Sequence, residues 1–74
     1  MEQDLTRSVL YLQASIAKLY MKKHDMSVKE FLELDKKFDI LGFLKTGYEP
    51  FHLTGDMGVL NEVEEYIAIR QQNK

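Results

Sequence analysis

Apolar residues recur along the first third of the chain at helical intervals. Leu5, Val9, Leu12, Ile16 and Leu19 are separated by four, three, four and three positions. That spacing puts them on one helix face and predicts a first helix over about residues 4–24. Leu10, Ala14, Ala17 and Met21 widen the stripe, so the helix is apolar around more than half its circumference. Asp4 suits an N-cap. Lys18, Lys22, Lys23 and His24 crowd the other end, where positive charge complements the helix dipole.

Ser27-Val28-Lys29-Glu30 has the Ser-x-x-Glu form of a capping box, with Ser27 as cap and Glu30 reaching back. It opens a second helix, with Val28, Phe31, Leu32, Leu34 and Phe38 as the expected inner residues. The phase shifts at Asp39. The stretch from Asp39 to Gly47 reads as a short third helix carrying Ile40, Leu41, Phe43 and Leu44, with Asp39 as cap and Gly47 as a left-handed stop. Gly42 would let another backbone come close. Pro50 is expected to block helix continuation and to push Glu49 toward an extended conformation. Thr54-Gly55-Asp56 supplies turn and cap chemistry. Met57, Leu60, Val63, Tyr66, Ile67 and Arg70 then follow at helical spacing, a last helix over about residues 57–71. The expected fold is all-α, a compact single-domain bundle of four helices over residues 1–74: one long, one medium, one short and one C-terminal.

Length sharpens this picture. A chain of 74 residues builds one core, and a core of that size supplies only about 3–5 kcal/mol. Without cysteine, neither a disulfide nor a thiolate metal site can supplement it. Helix 1 points apolar residues in more directions than three short helices can cover. Leu10, Ala14, Ala17 and Met21 are therefore the expected self-association face of a homo-oligomer.

Charge argues against some partners. The net charge is −2, with seven Lys against five acids over residues 18–45 and five acids against Arg70 and Lys74 beyond. That asymmetry is far from the basic stripe duplex binding needs. The longest apolar stretches run to about four residues, far short of a membrane span. The acidic opening Met1-Glu2-Gln3-Asp4 lacks the positive region of a signal peptide, so the expected location is cytoplasmic.

Candidate chemistry concentrates between Tyr48 and Gly58, where Pro50, Phe51, His52, Gly55 and Gly58 interrupt the helical pattern. His52 could serve catalysis with Glu49, Thr54 or Asp56, could contact a partner, or could hold the connector by bonding backbone. No second catalytic element stands at a recognised spacing, so no catalytic residue is assigned. His24, Asp25, His52 and Asp56 form the only mixed pool of metal ligands, and their spacing fits no His₂-carboxylate site. Neither a metal nor a cofactor is expected. Helices 2 and 3 invite a helix-turn-helix reading, and hence a dimeric DNA-binding regulator. Yet Ile40-Leu41-Gly42-Phe43-Leu44-Lys45 offers one Lys where a recognition helix needs several polar side chains. DNA is the alternative, not the expectation. Tyr48, Phe51 and His52 are the candidate partner contacts of a protein-interaction module.

Several of these elements, taken in order, resemble the small bacterial Domain of Unknown Function 3791 family. They are Ser27 and Glu30 at a helix start, Leu41 and Leu44, the connector Tyr48, His52 and Gly55, and Val63 with Glu65-Tyr66-Ile67. The likeness covers about residues 8–70. The resemblance implies an antitoxin or accessory protein of toxin–antitoxin-like loci, found beside proteins resembling ADP-ribosyltransferases. It carries over no catalytic residue.

Overall fold

The computed structural model describes residues 2–72, with side chains from Leu5 onward. The chain is all-α: α1 Glu2–Lys23, α2 Val28–Phe38, α3 Ile40–Thr46, α4 Tyr48–Phe51 and α5 Asp56–Gln72. Four of these match the expected long, medium, short and C-terminal helices. The fifth, α4, is a single turn where an extended connector was expected. Pro50 lies in the first turn of that helix, where its missing N–H leaves no bond unmade, so Glu49 is helical rather than extended. The backbone of Asp4 lies inside α1, which begins at Glu2, and the Asp4 side chain is outside the described residues.

Both hydrogen bonds of the capping box form. The Glu30 N–H donates to Ser27 Oγ at 3.1 Å, and the Ser27 N–H donates to Glu30 Oε1 at 2.8 Å. Just before it, α1 ends in a Schellman turn: Met26 N–H donates to the Met21 carbonyl at 2.9 Å and Asp25 N–H to the Lys22 carbonyl at 3.4 Å. The turn places Asp25 at φ 50°, in the left-handed region where glycine usually sits.

Asp39 is the other left-handed residue, at φ 54°, and the whole α2–α3 corner is this one residue. Its side chain makes no cap hydrogen bond, contrary to expectation. Asp35 caps α3 instead, its Oδ1 accepting from the Leu41 N–H at 2.8 Å. With Asp39 turned left-handed, its carboxylate lies over Gly42. The group that approaches Gly42 is thus a side chain, not a second backbone. Tyr66 ties α5 to the corner, its hydroxyl donating to the carbonyl of Phe38, with that of Asp39 at 3.5 Å. From the opposite side, the Gln13 amide donates to the Leu41 carbonyl at 2.8 Å.

The core joins Leu12, Ile16 and Tyr20 of α1, Phe31 and Phe38 of α2, Ile40 and Leu44 of α3, and Val59, Leu60, Val63 and Ile67 of α5. Helix α3 touches all four others and forms their common wall. Val28 and Leu32 were expected inside α2 but are exposed. The inward stripe of α2 runs through Phe31, Leu34 and Phe38, and its two neighbours, α1 and α3, leave the Val28–Leu32 flank to solvent. Met57 is likewise exposed, and Val59, absent from the expected inner face, is fully buried. Among the described side chains of α1 the first buried is Leu12, while Leu5, Leu10 and Tyr11 remain exposed. The helix overhangs its core, and the radius of gyration, 12.2 Å, exceeds the roughly 11 Å of a compact chain this long.

The far end of α1 is clamped to α5. Glu64 accepts from Lys23 Nζ at 3.0 Å and lies 2.9 Å from His24 Nε2. Tyr20 stacks on the His24 ring at 4.3 Å, and burial followed by the nearby Glu64 charge raises its hydroxyl pKa. The Lys23 hydrogen bond leads the lowering of the Glu64 pKa, against partial desolvation, with His24 adding to it.

The helix ends and the clamp yield three predictions. Ser27→Ala should cost about 1 kcal/mol in urea denaturation. Asp25→Gly should gain about 0.5–1 kcal/mol by relieving the left-handed backbone. A loss in Asp25→Gly would mean the Asp25 carboxylate matters more than its backbone. Because the folded-state pKa of Glu64 is depressed, its contribution is complete above the unfolded value near 4.5 and disappears as pH falls through the lower folded value. Glu64→Gln should therefore be less stable than the wild type at neutral pH, by the small margin of a surface pair. That margin should close in thermal melts taken well below pH 4.5.

Candidate functional site

Gly47 joins α3 to α4 with φ −92°, so it is not the left-handed stop its position suggested. No described glycine has positive φ. What Gly47 supplies is space: a Cβ there would drive into the ring of Phe51. With that ring laid against Gly47, Phe51 packs on Phe43 at 5.3 Å between centroids. Phe43 stacks on Tyr66 at 4.0 Å, and the Arg70 guanidinium covers the Tyr66 ring at 4.3 Å. This ladder holds the connector to α5.

On the same α4 turn, Tyr48 and His52 stack nearly parallel at 4.7 Å. His52 Nε2 lies 3.9 Å from Glu49 Oε1, too far for a hydrogen bond. The Thr54 hydroxyl donates to the Pro50 carbonyl at 3.0 Å and closes the turn. It is thereby committed to backbone, and no Thr54–His52 nucleophile–base pair is assembled. Gly55 has open space around it, and its carbonyl accepts from the Val59 N–H as α5 begins.

The expected partner contacts Tyr48, Phe51 and His52 are brought together on one wall of a groove of about 470 Å³, with Thr54 and Asp56. The facing wall is α1, through Arg7, Ser8, Tyr11, Leu12 and Ser15. Tyr48 and Phe51 are half-buried and pack on the core, whereas His52 is exposed. Tyr11, at 77% exposure, is the most open aromatic residue here. Sequence reading missed this second wall. Its signal was present as a polar stripe, Ser8, Tyr11 and Ser15, but a polar stripe on a long helix ordinarily faces water.

The four residues of the expected self-association face are separated by the fold. Leu10 and Ala14 are exposed, while Ala17 and Met21 are half-buried and pack against the core of their own chain. The metal-ligand pool is split as well, with His24 and Asp25 at the end of α1 and His52 and Asp56 at the connector. Among the described residues no three His, Cys, Asp or Glu side chains are grouped to hold an ion. Among them also, no helix is long and apolar enough to cross a membrane.

The two connector glycines should respond oppositely. Gly47→Ala should cost about 1–3 kcal/mol by overpacking against Phe51. Gly55→Ser should be neutral or stabilise by about a few tenths of a kcal/mol, because it meets open space at a helix start. Equal melting temperatures for Gly47→Ala and wild type would show that the Phe51 ring moves freely.

No curated protein and no solved structure matches the chain. The family model described as "Protein of unknown function (DUF3791)" matches residues 13–70, which takes in every buried core residue except Leu12. The match also contains the α2–α3 corner, the aromatic ladder and the connector wall of the groove. The chain belongs to the DUF3791 family.

Proposed function

We propose that this chain is a non-enzymatic protein-interaction module that binds and restrains a partner enzyme in the cytoplasm. The groove between α1 and the connector is its contact surface. The observation that carries this is the pairing of Tyr11, largely exposed, with the stacked Tyr48 and His52 across an open groove. Rings with polar tips contribute large contact area while tolerating water in the unbound state, which is why Tyr is enriched at interfaces. On the connector side Phe51 is held by its ladder to Phe43 and Tyr66, and Tyr48 packs against the core and stacks on His52, so less ordering remains to be done on binding.

The likeness of the motifs to accessory proteins of toxin–antitoxin-like loci supports an antitoxin-like role, with an ADP-ribosyltransferase-like toxin as the partner enzyme. A homo-oligomer through α1 is a further part of this proposal, and Leu10 and Ala14 are the residues that remain open for it. The DNA-binding alternative has less behind it. Its recognition helix would be α3, where Ile40 and Leu44 are buried in the core and Lys45 is the only cation.

Co-expression with the product of the adjacent gene tests the proposal. The two proteins should co-purify, and Tyr11→Ala should weaken the complex by about tenfold or more without changing the melting temperature. Absence of a complex, or a complex indifferent to Tyr11→Ala, would remove the groove from the account. Salt-dependent retention of the isolated chain on duplex DNA would favour the regulator instead.

A further inference from the structure

The groove does not end at Ser15. It runs into a second depression of about 500 Å³ that continues along α1 past Lys18, Leu19 and Lys22, and the two share Ser15 and Asp56. From Arg7 to Lys22 this joined surface follows α1 for about 22 Å. Along it, Ser8, Tyr11, Ser15, Lys18 and Lys22 are spaced three, four, three and four, the interval a helix shows to another helix lying alongside. Ser8 and Ser15 are half-buried and short, so a second backbone could approach closely at both points.

The charge on this surface is mainly positive. Arg7, Lys18 and Lys22 lie along it, and Asp56 is the single carboxylate among the lining residues. The ion pairs among the described residues are Lys23–Glu64, His24–Glu64 and His52–Glu49, so none of those three cations is neutralised in this way. The groove-lining stretch of α1, within residues 5–24, holds no acid, so setting it on the same stretch of a second copy would bring cations against cations, whereas Leu10 and Ala14 lie off the groove. The acidic helix of the chain itself, α5, has its apolar face committed to the core.

We propose that the joined groove docks an acidic amphipathic helix of a partner protein, about four turns long. Its apolar stripe lies over Ser8 and Ser15 between Tyr11 and Leu19, and its carboxylates meet Arg7, Lys18 and Lys22. This rests on the interaction-module reading and specifies the chemistry the partner must present.

The test uses the full chain and a labelled synthetic peptide of about 16 residues, with Leu on one helical face and Glu on its flanks. Fluorescence anisotropy should show saturable binding that weakens as salt rises. The same peptide with Lys in place of Glu should bind at least about tenfold more weakly. The exposed double variant Lys18→Glu, Lys22→Glu should lose about tenfold or more for the acidic peptide, and Ser15→Arg should lose it wholly, both with the wild-type helical spectrum. Equal binding of the acidic and basic peptides, or no saturation by the acidic peptide at millimolar concentration, would overturn the proposal. So would a dimer in sedimentation that Ser15→Arg dissolves, since the groove would then belong to a second copy. If the adjacent gene product binds and responds to Tyr11→Ala but not to the Lys18, Lys22 or Ser15 variants, the helix proposal fails and the module reading survives.

Discussion

Phe38 and Ile40 are both buried, with one exposed residue between them. That is the tightest constraint in this molecule. To return two large side chains to the same core across a single residue, the chain must reverse within one set of dihedrals, and Asp39 does so in the left-handed region. A non-glycine residue pays for that conformation, roughly 1–2 kcal/mol for a typical side chain and less for Asp. The surroundings hold the corner from three sides: Asp35 caps α3, the Tyr66 hydroxyl binds the Phe38 carbonyl, and the Asp39 carboxylate rests over Gly42.

The groove inherits its geometry from that corner. The corner sets the direction of α3, α3 delivers Gly47, and Gly47 admits the Phe51 ring that locks α4 in place. Tyr66 takes part at both ends, bonding the corner through its hydroxyl and stacking on Phe43 through its ring. The α5 helix thus braces the corner and the connector with one side chain. The two walls of the groove differ in kind. The connector wall is braced by core contacts, while the α1 wall lies largely on the overhang, where the helix has solvent on most sides. A surface with one rigid wall and one open wall suits an occupant that brings its own regular structure.

Charge is partitioned on the same lines. Where α1 meets α5, Lys23 and His24 are paired with Glu64, which removes one acid from the exposed set and fastens the end of α1. Earlier on the helix, Arg7, Lys18 and Lys22 have no such counterpart among the described ion pairs. The small net charge of −2 therefore conceals a locally basic stretch of α1 from Arg7 to Lys23, which composition alone could not reveal because, apart from Glu2 and Asp4 at the start of the helix, the compensating acids lie further along the chain.

Much of the fold was legible in local sequence, because its causes are local. The capping box at Ser27 depends on residues three apart, and both its bonds formed. The periodicities of α1 and α5 marked those helices to within a few residues, and the short α3 emerged from the phase shift at Asp39. The misplaced features share another cause. Left-handed backbone fell on Asp25 and Asp39 rather than on any glycine, since the directions in which the helices must leave are set by packing, not by the residue at the turn. Gly42 and Gly47 make room for the Asp39 carboxylate and the Phe51 ring, close in sequence but brought over them only by the left-handed corner and the α4 turn, and Val28 and Leu32 were left on the flank of α2 that neither α1 nor α3 covers. Tyr48, Phe51 and His52 could be singled out as an unusual cluster, but the facing wall of Arg7, Ser8, Tyr11 and Ser15 lies more than thirty positions away. Sequence determines which segments are helical and where they begin, through interactions a few residues long. Only the tertiary structure decides which helical faces remain uncovered and which of those meet, because that depends on how many neighbours each face finds.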